Sequence, residues 1–346
     1  MAGRLLAISD LHVGYPENRA YADALAPADP ADWLIVAGDV GEVFGDVGFV
    51  LASLTRRFAK VIWTPGNHEL WTLPSDPVAL RGVARYAALV KTCQRFGVLT
   101  PEDDFPVWDG PGGPVTVAPL FTLYDYSFRP DSPVTSAPAA AAPGAAGQAA
   151  DPVAVVLAAI DQAVPADTTP ADTTPANTTP ADTTPADTTP ADTRLADTRL
   201  ADGGQAGGRQ AAVAAARQAG ISPADEGRLH ADPYPSVAAW CRDRVAVSER
   251  RLAAVDGPVV LVSHWPLLRA PVAALRRQAF APWCGTTLTA GWHRRHGVLA
   301  AVYGHLHIPR TTHIDGVRFE EVSVGYPREW RRRGTAPPPP RVILGD

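Results

Sequence analysis

The sequence predicts an α/β fold organised around a mostly parallel sheet, and three observations carry that expectation. Short apolar runs of four to seven residues alternate with amphipathic stretches at both ends of the chain. Runs of that length are strands, and helical spacing between them makes βαβ units, whose crossovers leave neighbouring strands parallel. Finally, a polar motif sits just beyond each of five predicted strands, at the sheet edge where loops converge. With 46% hydrophobic residues over 346 positions, the chain can bury one large core or two small ones.

Taken in order, residues 5–8, 33–37 and 60–63 read as buried strands, and residues 46–57 and 78–94 have helical spacing. Residues 115–119 add a strand. Further on, residues 236–254 read as a helix, 258–263 as a valine-rich strand, 285–296 as a helix and 298–304 as a strand. Residues 311–314 and 317–322 flank Asp315-Gly316, a pair that accepts positive φ and so signals a hairpin turn.

Between these halves the composition changes. From residue 131 to 231 Phe, Tyr and Trp are absent, and a five-residue unit, Pro165-Ala166-Asp167-Thr168-Thr169, recurs with variation as far as Leu200. A stackable repeat needs roughly 20 residues, and five without a large apolar side chain bury nothing. The expectation is a single domain of residues 1–130 and 233–330, interrupted by a low-complexity, disordered insertion at 131–232. Residues 153–164 and 210–218 are candidates for transient helices within it. An Arg/Pro-rich tail, 331–346, is expected to be extended or disordered.

Composition also excludes. The formal net charge is −5 and the longest basic run is the three arginines at 331–333, so no broad face suits strong nucleic-acid binding. Three cysteines, Cys93, Cys241 and Cys284, are dispersed, which fits a reducing compartment better than a disulfide framework. The first apolar run is too short for a signal peptide, and nothing reaches the ~18 apolar residues of a membrane span. A cytoplasmic protein without membrane contact is expected.

The five motifs are Asp10-Leu11-His12, Gly38-Asp39, Gly66-Asn67-His68-Glu69, Ser263-His264 and Gly304-His305-Leu306-His307. Carboxylate and amide oxygens combined with imidazoles suit Mn, Fe or Zn rather than an all-oxygen Mg or Ca cage. Asp39 is a natural bridge, since one carboxylate can hold two ions ~3.5–4 Å apart. The alternate spacing of Asp10/His12 and His305/His307 places each pair on one side of an extended segment. Five of nine histidines fall in these motifs, so core packing explains them poorly. Glu42 is ambiguous between supporting a ligand and standing in a solvated turn. Tyr15 and Asn18, directly after the first motif, are the preferred substrate-contacting candidates.

In these blocks the chain resembles the calcineurin-like metallophosphoesterase superfamily, over about residues 1–130 and 233–330. The resemblance implies a four-layer αββα sandwich of two mixed sheets. It implies one ion held by Asp10, His12, Asp39 and His307, and another by Asp39, Asn67, His264 and His305. His68 matches the catalytic residue that protonates the leaving oxygen or stabilises the phosphoryl group. A hydroxide bridging the two ions, Mn and/or Fe or else Zn, would attack phosphorus. The block Gly38-Asp39-Val40-Gly41-Glu42 lacks the arginine typical of the protein-phosphatase branch, which argues against phosphoserine or phosphothreonine substrates.

The stretches His12 to Asn18, Pro65 to Trp71 and Gly325 to Trp330 are similar to a group of actinobacterial metallophosphoesterases that includes phosphopantetheinyl hydrolases. That similarity implies a phosphodiesterase removing 4′-phosphopantetheine from holo acyl carrier protein. A nucleotide or cyclic-nucleotide phosphodiesterase is the alternative enzyme. A non-catalytic scaffold is a third reading, disfavoured because every ligand position is filled.

Overall fold

The computed structural model describes residues 3–129 and 198–345, with backbone alone for residues 198–206. The expected strand β1 (Leu5–Ile8) lies in a four-stranded sheet beside β2 (Trp33–Val36), followed by β3 (Lys60–Trp63). These three are parallel and in simple register, with Leu6 opposite Leu34 and Leu34 opposite Val61. The second sheet runs β4 (Val107–Gly110), β5 (Gly113–Pro119), β6 (Val259–Val262), β7 (Val298–Tyr303), β9 (Val317–Glu321) and β8 (Arg310–Ile314). Its central strands are parallel, and antiparallel hairpins close both edges. The single mostly parallel sheet expected from patterning is therefore two mixed sheets.

Strand alternation assigns the layers. Leu5, Ala7, Ile35 and Ala37 of the first sheet pack with Val117, Val260, Val262 and Val302 of the second, so the sheets face each other. Their neighbours Leu6, Ile8, Leu34 and Val36 point the other way, into a core shared with Val47 and Leu51 of the helix Phe44–Thr55 and Leu89 of the helix Gly82–Arg95. Behind the second sheet, Trp240 and Leu252 belong to a helix spanning Val237–Leu252, whose Ser236 hydroxyl caps it by accepting from the Ala239 N–H at 3.1 Å. Helices outside two facing sheets make the four layers that the resemblance implies.

Three segments differ from expectation. Residues 285–296 are not one helix but a 3-10 turn, Thr287–Thr289, and a short helix, Trp292–Arg295. The tail contributes a helix, Pro327–Arg332, and strand β10 (Arg341–Leu344), which pairs antiparallel with the free edge of β1. Ordered chain also resumes before the boundary that composition places at residue 233. Helix Thr198–Gln218 includes the candidate 210–218, buries Ala212 and Ala216, and is followed by helix Asp225–Arg228. Residues 153–164 and the repeat as far as residue 197 lie outside the described residues.

Candidate metal centre

All five motifs meet at one edge of the sandwich, where β1, β2, β3, β6 and β7 end. The turns that bring them there are unusual. Among the described residues, eight that are not glycine have positive φ, and Asp10, His12, Asp39, His305 and His307 are five of them. The left-handed region costs a residue with a Cβ about 1–2 kcal/mol. The Asp-x-His and His-x-His pairs thus do not line an extended segment as expected; each member sits in a left-handed kink that turns its side chain into the centre.

Backbone bonds hold the kinks. The N–H groups of Asp10 and His12 donate to the carbonyls of Gly38 and Asp39 at 2.9 and 3.0 Å, and Gly325 N–H donates to the Asp10 carbonyl at 3.1 Å. Gly38, at φ 85°, leaves no room for a side chain: a Cβ there would stand 2.6 Å from the Gly66 nitrogen and 2.7 Å from His264 Nδ1.

Two groups of donors result. In one, His307 Nε2 lies 3.0 Å from Asp10 Oδ1 and 3.2 Å from His12 Nε2. In the other, Asn67 Oδ1 stands 3.1 Å from His305 Nδ1 and 3.2 Å from His264 Nε2, and those nitrogens are 3.2 Å apart. Asp39 Oδ2 joins this second group, 3.4 Å from His264 Nε2. The ring faces are fixed from behind. His264 Nδ1 donates to the Ala37 carbonyl at 2.9 Å and His307 Nδ1 faces Glu329 Oε2 at 2.8 Å. With the proton on Nδ1, each ring turns its Nε2 towards its neighbours.

Lone pairs converging at such distances repel unless positive charge lies among them. Burial pulls His264 down, but Asp39 overcomes it and pushes the imidazole up to about 9, whereas burial and the His264 charge push His305 down to about 3. Burial opposes ionisation of Asp10 and Asp39 too, yet the imidazoles beside them hold both below the usual carboxylate range. Within the centre, the buried nitrogens His12 Nδ1 and His305 Nε2 have no hydrogen-bond partner. A buried O/N donor set of this kind fits transition-metal cations.

His68 stands between the groups and the outside. Its ring stacks on Trp71 with centroids 3.7 Å apart, Nδ1 meets Glu42 Oε1 at 2.8 Å, and Nε2 points towards Asp39 Oδ2 at 3.8 Å. Burial would lower its pKa, but Asp39 and Glu42 raise it above the ordinary value. Glu69, the last residue of its motif, is structural: its carboxylate accepts from the N–H groups of Asp39, Val40 and Gly66 at 2.8–2.9 Å and ties two ligand loops together.

Of the two substrate candidates, Tyr15 is 40% exposed at the rim, edge-on to Tyr326. Asn18 is not a surface group. It is fully buried, and its amide donates to the carbonyls of Leu11 at 2.7 Å and Gly325 at 3.0 Å, stapling the first ligand loop to the chain's far end. Sequence reasoning missed Ser323, whose hydroxyl donates to Asp10 Oδ2 at 2.7 Å, and Asp225, which accepts from Asn67. It quoted the stretch containing Glu329 without seeing its partner, because pairing with His307 exists only after folding.

The Calcineurin-like phosphoesterase profile matches residues 3–133. The chain is 44% identical over 331 residues to [Acyl-carrier-protein] phosphodiesterase PptH of Mycobacterium tuberculosis, covering 95% of this chain and 80% of that protein. The crystal structure of Phosphopantetheinyl Hydrolase (PptH) from Mycobacterium tuberculosis superposes with a TM-score of 0.75 at 43% identity, covering 100% of this chain and 97% of that one.

Proposed function

The chain belongs to the calcineurin-like phosphoesterase family and is a phosphoester hydrolase, and from that premise we propose that it removes 4′-phosphopantetheine from holo acyl carrier protein. The observation that carries the enzymatic reading is the pair of donor groups with Asp39 among them and His68 beside them. The relative's carrier-protein activity, at 44% identity over nearly the whole chain, supports the substrate. No comparable support favours a nucleotide or cyclic nucleotide.

Asp10, His12, Asp39 and His307 would hold one ion, and Asp39, Asn67, His264 and His305 the other, with Asp39 shared. Mn and Fe suit the mixed oxygen and imidazole set best. Ions there would supply Lewis acidity towards the phosphoryl oxygens and lower the pKa of a water. The protein's own part is orientation and proton handling. Glu42 at Nδ1 favours the protonated His68 ring and directs Nε2 into the centre, where it can bond a phosphoryl oxygen or give a proton to the departing alkoxide. Trp71 beneath the ring and the buried ligand shell limit its motion. Three buried, unpaired cysteines support placing the chain in the reducing cytoplasm, and no described helix is long and apolar enough to cross a membrane.

Intact-mass spectrometry of holo acyl carrier protein, incubated with Mn-loaded enzyme, tests the reading. Loss of the phosphopantetheine arm is expected, abolished by chelator and slowed ~10²–10⁴-fold in His68→Ala that still binds metal. An arm left intact while an aryl phosphodiester is cleaved would reject the carrier protein and leave the hydrolase.

A further inference from the structure

The segment read as low-complexity ends inside the metal centre. Asp225 opens the helix Asp225–Arg228 and is only 5% exposed. Its Oδ1 accepts from the Asn67 amide nitrogen at 2.9 Å and from the Trp71 indole N–H at 2.7 Å. The neighbouring Glu226 accepts from the Tyr126 hydroxyl at 3.0 Å and the Trp283 indole at 2.9 Å. Thr72 N–H donates to the Arg228 carbonyl at 3.0 Å, and Trp71 bridges Leu229. The carboxylate is therefore delivered by a segment pinned on several sides.

An amide side chain has two nearly isosteric ends, and only its oxygen can bind a cation. A half-turn of the Asn67 amide would aim N–H donors at His264 and His305. Asp225 Oδ1, accepting from both Asn67 and Trp71, draws the Asn67 amide nitrogen outward and leaves Asn67 Oδ1 facing the two imidazoles. The same oxygen fixes the plane of the Trp71 indole, on which His68 stacks. One buried acid thus sets a metal-facing oxygen and the seat of the proton-handling ring.

We propose that Asp225 is a positioning residue of the metal centre: it selects the metal-binding orientation of Asn67 and, through Trp71, the orientation of His68. The proposal rests on the reading of Asn67 as a ligand. It makes the end of the inserted segment a working part of the site.

Mn(II) titration of chelator-stripped protein, with free ion counted by electron paramagnetic resonance, is the test. Wild type is expected to bind roughly two ions per chain. Asp225→Ala should weaken one of them by about 10–100-fold, the usual effect of losing an outer carboxylate. Asp225→Asn should stay within about 3-fold of wild type, because its Oδ1 accepts the same two bonds. A merely structural role would lower the melting temperature without changing ion affinity in folded protein.

Should Asp225→Ala not fold, the swapped pair decides. Asn67→Asp sets two carboxylates against each other and should lose an ion, and Asn67→Asp with Asp225→Asn should regain it. Wild-type affinity in folded Asp225→Ala, or a double variant no better than Asn67→Asp, overturns the positioning role. Wild type that binds no Mn at all overturns the metal-centre reading and the proposal with it.

Discussion

Glu42 Oε1 lies 2.8 Å from His68 Nδ1 and 3.7 Å from His12 Nδ1, so one carboxylate faces two of the buried histidines. Burial raises the Glu42 pKa, but the imidazoles of His12 and His68 beside it win and hold it below its ordinary 4.5. Burial lowers His68, yet Asp39 and Glu42 hold it above 6.5. A depressed acid stabilises the fold above its unfolded pKa and loses that contribution as pH falls. A raised imidazole stabilises below its unfolded pKa and loses its contribution as pH rises. In chelator-treated protein the pair should therefore contribute most between pH 4.5 and 6.5. The melting-temperature gap between wild type and Glu42→Gln should peak near there and narrow as pH rises through the raised His68 value. A gap that ignores pH would mean the pair is not ionised. At this scale the sequence was readable where a residue type is itself the chemistry: Asp10, His12, Asp39, Asn67, His264, His305 and His307 all converge. Glu42, Ser323 and Glu329 were not, since a carboxylate or hydroxyl acquires meaning only from its folded neighbour.

Elements were legible in proportion to how local their causes are. Asp315 and Gly316 take φ of 53° and 82°, as a tight hairpin requires, and β8 and β9 pair around them. Residues 285–296 failed as a helix because Thr286 caps a single turn, accepting from Leu288 N–H at 3.2 Å, while the Thr289 hydroxyl bonds the Leu267 carbonyl. Gly291 then opens a new turn before Trp292, the buried anchor. Competing side-chain bonds of this kind are tertiary in origin. Strand β10 escaped for another reason: a Pro-rich approach hides four residues whose partner, β1, begins 336 positions earlier. Its Ile343 is 2% exposed and joins the core between the sheets. Ile343→Ala should destabilise the protein by about 2–4 kcal/mol, read from urea unfolding, because the cavity opens in a layer closed on both faces. A cost near zero would show that the tail is an ornament on the sheet edge.

For the molecule as a whole, each half of the chain holds only part of the site. The first supplies Asp10, His12, Asp39, Asn67 and His68, and the second supplies His264, His305 and His307. The first half also carries the staple, since Asn18 ties Leu11 to Gly325 and Arg331 pairs with Glu17 across the ends of the chain. Between the halves lies the segment 131–232, which composition treats as one block and the structure divides. Residues 198–232 carry two helices, buried alanines and Asp225 against the site. The five-residue repeat, by contrast, has no side chain large enough to build a core. Replacing residues 131–197 with a short Gly/Ser linker should leave Mn binding intact and the melting temperature within about 3 °C, since closing a shorter loop changes folding entropy only slightly. Extending the same replacement through residue 232 removes Asp225 and Glu226 and should cost an ion and most phosphodiesterase turnover. Equal losses from both replacements would assign the repeat a structural role; no loss from either would place the functional boundary back at residue 233.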